Sequence, residues 1–203
     1  MKKLSCINKL LVLVIALAAI ACNGIFVPDP IDPRLPKYTE SGNNVAGAFV
    51  NNQVWESTVT WGLYDFFDTP EFYVWPEKDS VVIRFSGNTG DESAYIEFHL
   101  KDWNIADFED ISKLSGLKIE LDGNENSAYY IEGSNYPEAY KYKGIGQFYP
   151  KNIQLNDSLT SATISGTFGF TVTDSVGVNI KITYGRFDYR ISKEDDFFVY
   201  PEW

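Results

Sequence analysis

Apolar and polar residues alternate with a period of two through most of this chain, which is the periodicity of a strand with one buried face. It is clearest between Ser161 and Thr173. There Ala162, Ile164, Phe168, Phe170 and Val172 share one face, against Ser161, Thr163, Ser165, Thr167, Thr171 and Thr173 on the other. Val176, Val178, Ile180, Ile182 and Tyr184 continue the pattern, and after Gly185 the parity flips to Phe187, Tyr189 and Ile191. A slip of one residue would turn the core face outward, so the flip predicts a β-bulge at Gly185 with that glycine at positive φ. Earlier strands are predicted around Val81-Ile83-Phe85, Ile96-Phe98-Leu100 and Leu117-Ile119-Leu121. Turn residues separate them at Asn51-Asn52, Gly87 to Asp91, Asp122 to Asn126, Asn156-Asp157 and Asp174-Ser175. One short helix is expected from Ile105 to Leu114, where Ile105, Phe108, Ile111 and Leu114 recur at helical spacing. The fold class is therefore all-β: an antiparallel β-sandwich or meander β-barrel of about nine to ten strands with one short helix. Pattern alone does not choose between the two.

The pattern changes at both ends. Lys2, Lys3 and Lys9 precede an apolar run from Leu10 to Ala21, shorter than the roughly 20 residues a bilayer-spanning helix needs. Small residues then lead to Cys22, so residues 1–21 read as a lipoprotein signal peptide and Cys22 as the lipidated residue. Lipid chains on Cys22 would anchor the protein without spanning the membrane. Asn23 follows the cysteine where an aspartate would signal inner-membrane retention. The outer membrane is therefore the expected site, with the periplasmic leaflet favoured because the first acids, Asp29 and Asp32, lie some way from Cys22. Residues 22–44 hold Pro28, Pro30, Pro33 and Pro36 and read as an extended tether, with a single β-rich domain over residues 45–203. At the far end, Glu194 to Asp196 interrupt the strand pattern before Phe197 to Tyr200. This extension, residues 192–203, is expected to dock on the domain, because a free apolar run is costly in water.

Charge and cysteine content narrow the chemistry. The chain carries 28 acidic and 17 basic residues; with the three signal lysines removed the net charge falls to about −14, which argues against nucleic acid as a partner. Cys6 leaves with the signal and Cys22 is claimed by lipid, so no thiol remains for a disulfide, a nucleophile or a metal site. His99 is the only histidine and reads as a solvated strand residue beside Tyr95, Glu97 and Lys101. Asp122-Gly123-Asn124-Glu125-Asn126 begins like a calcium loop, but Ser127 and Gly133 stand where the turn glycine and the bidentate glutamate belong. Gly144-Ile145-Gly146 lacks the rest of a phosphate-binding glycine motif, and no motif selects a carboxylate pair for glycoside hydrolysis. No cofactor and no catalytic residue is expected.

Aromatic residues form 16% of the chain and concentrate in two segments, which makes them the candidate binding residues. Trp61, Tyr64, Tyr73 and Trp75 fall in the first, Tyr136 and Tyr140 in the second. Aromatic faces beside amides and carboxylates serve both protein interfaces and sugar recognition.

Two passages resemble a group of single-domain Bacteroidetes lipoproteins of unknown function. One is Asn44-Val45-Ala46-Gly47-Ala48-Phe49-Val50-Asn51-Asn52 leading to Trp55. The other is Ile164 to Phe170 (ISGTFGF) followed by Ile182-Thr183-Tyr184-Gly185-Arg186-Phe187-Asp188. The chain departs from the group at Asn52, where glycine is common, and by continuing past Ile191. The resemblance implies an all-β domain on a lipid tether and brings no catalytic residues. The combined expectation is a lipid-anchored, non-catalytic cell-envelope protein that binds an envelope protein or other ligand, with a glycan-binding module and an envelope hydrolase as alternatives.

Overall fold

The computed structural model describes residues 32–57, 59–60, 66–67, 69–133 and 140–200. Eight long or medium strands close on themselves. Taken in chain order they are β1 (Val45–Val50), β2 (Gln53–Ser57), β6 (Ser80–Thr89), β7 (Glu92–Lys101), β9 (Ser127–Glu132), β10 (Tyr140–Leu155), β11 (Ser161–Thr173) and β12 (Asn179–Ser192). Each pairs antiparallel with the next, and β12 returns to β1. The expected all-β fold is therefore a closed meander barrel, and the sandwich alternative falls away.

Two insertions decorate it. Between β2 and β6 lie β3 (Val59–Thr60), β4 (Phe66–Phe67) and β5 (Glu71–Trp75); β5 pairs with the first half of β6 and leaves the second half to β2. Between β7 and β9 come a short helix, Phe108–Leu114, and β8 (Ile119–Leu121), which pairs with β10. The tail forms β13 (Phe197–Val199), parallel to β5, so the expected docking is observed.

Alternation sends one side chain in two to the barrel axis, and this interior is filled with rings. Phe98 stacks on Phe148 with centroids 4.2 Å apart, Phe148 on Phe187 at 5.6 Å, and Phe85 lies 5.2 Å from Phe187. A void of about 10 Å³ among Phe72, Phe85, Leu114, Phe148 and Phe187 has room for a single water at most. An eight-stranded barrel is just wide enough either to be filled by side chains or to hold one small ligand, and aromatic packing takes the first course here. The outward positions of β11 and β12 are hydroxyls and charges, such as Thr167, Thr171, Lys181 and Arg190. That is the reverse of a membrane-spanning barrel, whose outer face is apolar.

The expected short helix is present and is a 3-10 helix: Ile105, Phe108, Ile111 and Leu114 recur every three residues, the 3-10 period, and all four are buried. Three expectations need correction. Gly87 lies inside β6, paired with Ser57 and Ala94, rather than in a turn, and a Cβ there would sit 2.5 Å from the Trp55 ring. Val176 and Val178 are exposed loop residues and β12 starts only at Asn179. The bulge falls at Thr183 and Tyr184, just before Gly185, which stays in register with Phe168, and the residue at positive φ is Tyr184 (φ 55°). Gly185 is required for space, because a Cβ would lie 2.3 Å from the Phe168 ring.

The tether boundary also moves. Residues from Asp32 to Asn44 are strapped along the outside of β12 rather than standing free. Leu35 is buried, and Pro36 lies where a Cβ on Gly47 would be 2.5 Å away. Arg186 donates to the Pro36 carbonyl (3.2 Å), and Asp188 accepts from the Gly42 amide (2.7 Å), the Ser41 amide (3.2 Å) and the Thr39 hydroxyl. Folded sequence thus begins before Val45.

Candidate functional site

Of the residues singled out from the sequence, Cys22, Trp61, Tyr64 and Tyr136 lie outside the described residues. The other three do not form one site. Tyr73 and Trp75 point outward from β5, where the docked tail meets them. Phe198 stacks on Tyr73 (5.5 Å, 23°) and Tyr200 on Trp75 (5.4 Å, 18°). The Arg84 guanidinium covers Tyr73 at 5.0 Å, so this ring packs between a phenyl and a cation. Tyr140 opens β10, with β9, β7 and most of β6 between it and Tyr73. It is 67% exposed, and its ring runs parallel to that of Tyr142 (6.4 Å, 4°).

Next to Tyr73 the outer wall holds a polar cluster that pattern reading missed. Glu97 points away from the barrel axis yet is 1% exposed, because its neighbours close over it. Arg84 reaches its Oε1 through Nε and Nη2, both at 2.8 Å, while Lys141 Nζ (2.7 Å) and His99 Nε2 (2.8 Å) reach Oε2. The Tyr129 ring lies 4.4 Å from the His99 ring and 4.3 Å from Lys141 Nζ. Burial on its own would raise the Glu97 carboxyl. The His99 and Lys141 hydrogen bonds and the Lys141 and Arg84 charges outweigh it and hold the group at about 2. Sequence did place Glu97 and His99 on one outward face. The register that sets Arg84 opposite Glu97 and Tyr129 beside it exists only in the closed sheet.

A carboxylate held ionised and fully paired is a poor proton donor and a weak base. His99 hydrogen-bonds only Glu97 and Lys141 among the described residues, with no hydroxyl in a nucleophile's place. Asp122, first residue of the calcium-like loop, instead accepts the Asn124 (2.8 Å) and Asn126 (3.2 Å) amides and shapes a turn. No group of three His, Cys, Asp or Glu among the described residues is arranged to hold a metal.

Several residues of the lipoprotein resemblance have structural roles. Asn51 bonds Lys181 across the β1–β12 pair and Asn44 caps the Arg190 amide; Gly47 and Gly185 give clearance, and Arg186 and Asp188 hold the strap. No family model, no curated protein and no solved structure matches this chain.

Proposed function

We propose that this chain is a lipid-anchored, non-catalytic protein of the bacterial cell envelope, held at the outer membrane through Cys22, as in the lipoproteins it resembles. Its barrel is a scaffold that binds an envelope protein on the outer wall formed by β5, β6 and β13. The observation that carries this reading is the filled interior. With no room on the axis, recognition falls to the outer faces and loops, and this wall concentrates aromatic side chains beside an arginine, the composition of protein-interface hot spots.

Crosslinking in intact cells tests it. Wild-type protein should capture a discrete envelope protein that the Trp75→Ala/Tyr200→Ala pair loses, and identical capture by both would remove this wall from consideration. Cys22→Ser should separately abolish acyl labelling and detergent partitioning; unchanged labelling would remove the anchor.

A glycan-binding reading is favoured by one feature, the exposed Tyr140 ring lying parallel to Tyr142. A glycan array with Tyr140→Ala as the control decides it.

A further inference from the structure

A groove on the far side of the barrel crosses three strands at one level. Gln154 of β10 faces Thr163 of β11, and Thr163 faces Arg190 of β12. With strands about 4.8 Å apart, the row spans about 10 Å. The concavity above it is open to solvent and about 340 Å³ in volume. The side chains of Gln154, Thr163 and Arg190 have no hydrogen-bond partner among the described residues. The other three arginines of the chain are all engaged, Arg34 by Asp32, Arg84 by Glu97 and Arg186 by the Pro36 carbonyl.

The neighbouring rows show that the open chemistry is local. One row along, Ser165 meets the Tyr38 hydroxyl (3.3 Å), and Asp188 is occupied by the strap. On the other side Asn156 spends its amide on the hairpin turn, holding the Thr160 and Ser161 amides and the Ser158 and Thr160 hydroxyls. Beside the row the strap passes at Gly42 (φ +71°), where a Cβ would come within 3.2 Å of the Arg190 Cβ and 3.5 Å of the Thr163 hydroxyl.

We propose that this row binds a carboxylate-bearing sugar of the hexuronic acid type. Arg190 would take the carboxylate through paired N–H donors, which match its geometry. The Gln154 amide and the Thr163 hydroxyl each donate and accept, as sugar hydroxyls do. A highly charged polyanion fits poorly, because the chain's net charge of −11 repels it and one guanidinium answers only one carboxylate. The site goes beyond the protein-partner reading and does not rest on it. Loss of crosslinking at Trp75 and Tyr200 leaves this inference standing, and the reverse also holds.

Titration of the isotope-labelled full chain with glucuronate and galacturonate, followed by amide NMR, tests it. Acetate, sulfate, glucose and galactose serve as comparators. The expected result is saturable binding of a uronate with shifts confined to Gln154, Ser161, Thr163, Arg190 and the strap near Gly42. Neutral sugars and simple anions should bind at least about tenfold more weakly, and Arg190→Gln should weaken uronate by at least about tenfold. The melting temperature should not move, since the guanidinium has no partner to lose among the described residues; if Arg190→Gln misfolds, Thr163→Val repeats the test. Absence of saturable uronate binding overturns the proposal. So does binding that Arg190→Gln leaves intact, or acetate or sulfate saturating at the same concentration.

Discussion

At the scale of single residues, several of this chain's most distinctive positions are settled by clearance rather than by backbone conformation. Gly185 lies beside the Phe168 ring while its neighbour Tyr184 takes the left-handed backbone. Gly185→Ala and Gly185→Val should both destabilise by about 1–3 kcal/mol, the usual scale for overpacking. Tyr184→Asn should be close to neutral, because asparagine tolerates positive φ and the side chain it replaces is half exposed. Chemical denaturation distinguishes the two explanations. A costly Tyr184→Asn together with a harmless Gly185→Ala would reverse the assignment. Glu97 is the polar counterpart. Glu97→Gln strands Arg84 and Lys141, both partly able to rehydrate, and should cost about 2–4 kcal/mol. A melt within error of wild type would show the cluster to be dispensable.

At the scale of elements, the tail and the strap are both held by a buried aspartate. Asp188 gathers the strap, and Asp196 accepts the Ser192 amide (2.6 Å) and the Thr69 hydroxyl, placing β13 against β5. Phe197 is buried and stands edge-on to Phe108 at 5.6 Å, so the tail also covers the 3-10 helix. Deleting residues 194–203 removes one buried phenyl ring and two outward stacks. It should lower Tm by roughly 5–10 °C. An unchanged melt combined with loss of a crosslinked partner would make the tail a binding peptide instead. The Phe108–Leu114 helix is capped at its N-terminus by its own Asp110, which accepts the Ala106 (2.9 Å) and Asp107 (3.1 Å) amides. Its strict three-residue spacing is visible in the chain at Ile105, Phe108, Ile111 and Leu114.

At the scale of the whole molecule, closure leaves no free edge within the barrel and puts a filled core where a ligand-binding barrel would have a cavity. Acid tests how far the outer-wall cluster contributes to that stability. Glu97 is held at about 2 in the folded protein against an ordinary value of 4.5. Its contribution is therefore complete above about pH 4.5 and is lost as pH falls towards 2, a drop worth roughly 3 kcal/mol. Asp196 works in the opposite sense. Burial raises its carboxyl, so acid relieves rather than adds a cost there. Tm of the wild type should fall between pH 5 and 2.5 more steeply than Tm of Glu97→Gln, and parallel curves would mean that Glu97 is not the group lost.

Much of this architecture was legible in the sequence because a strand's period is local. Alternation in Ser161 to Thr173 names the same core residues that the barrel buries, and the parity flip locates the bulge. The docking of Phe197 follows equally from apolar residues that water disfavours. Tertiary structure decided whatever depends on residues far apart in sequence. Closure requires β1 to meet β12. Glu97 acquires its partners from β6 and β10, and the Pro-rich segment is drawn onto the barrel by Arg186 and Asp188, over 140 positions away. The groove row Gln154, Thr163 and Arg190 is assembled in the same way, from three strands whose register only the closed sheet sets. Spacing along a chain encodes which face a side chain takes, and cross-strand register decides which side chains it meets there.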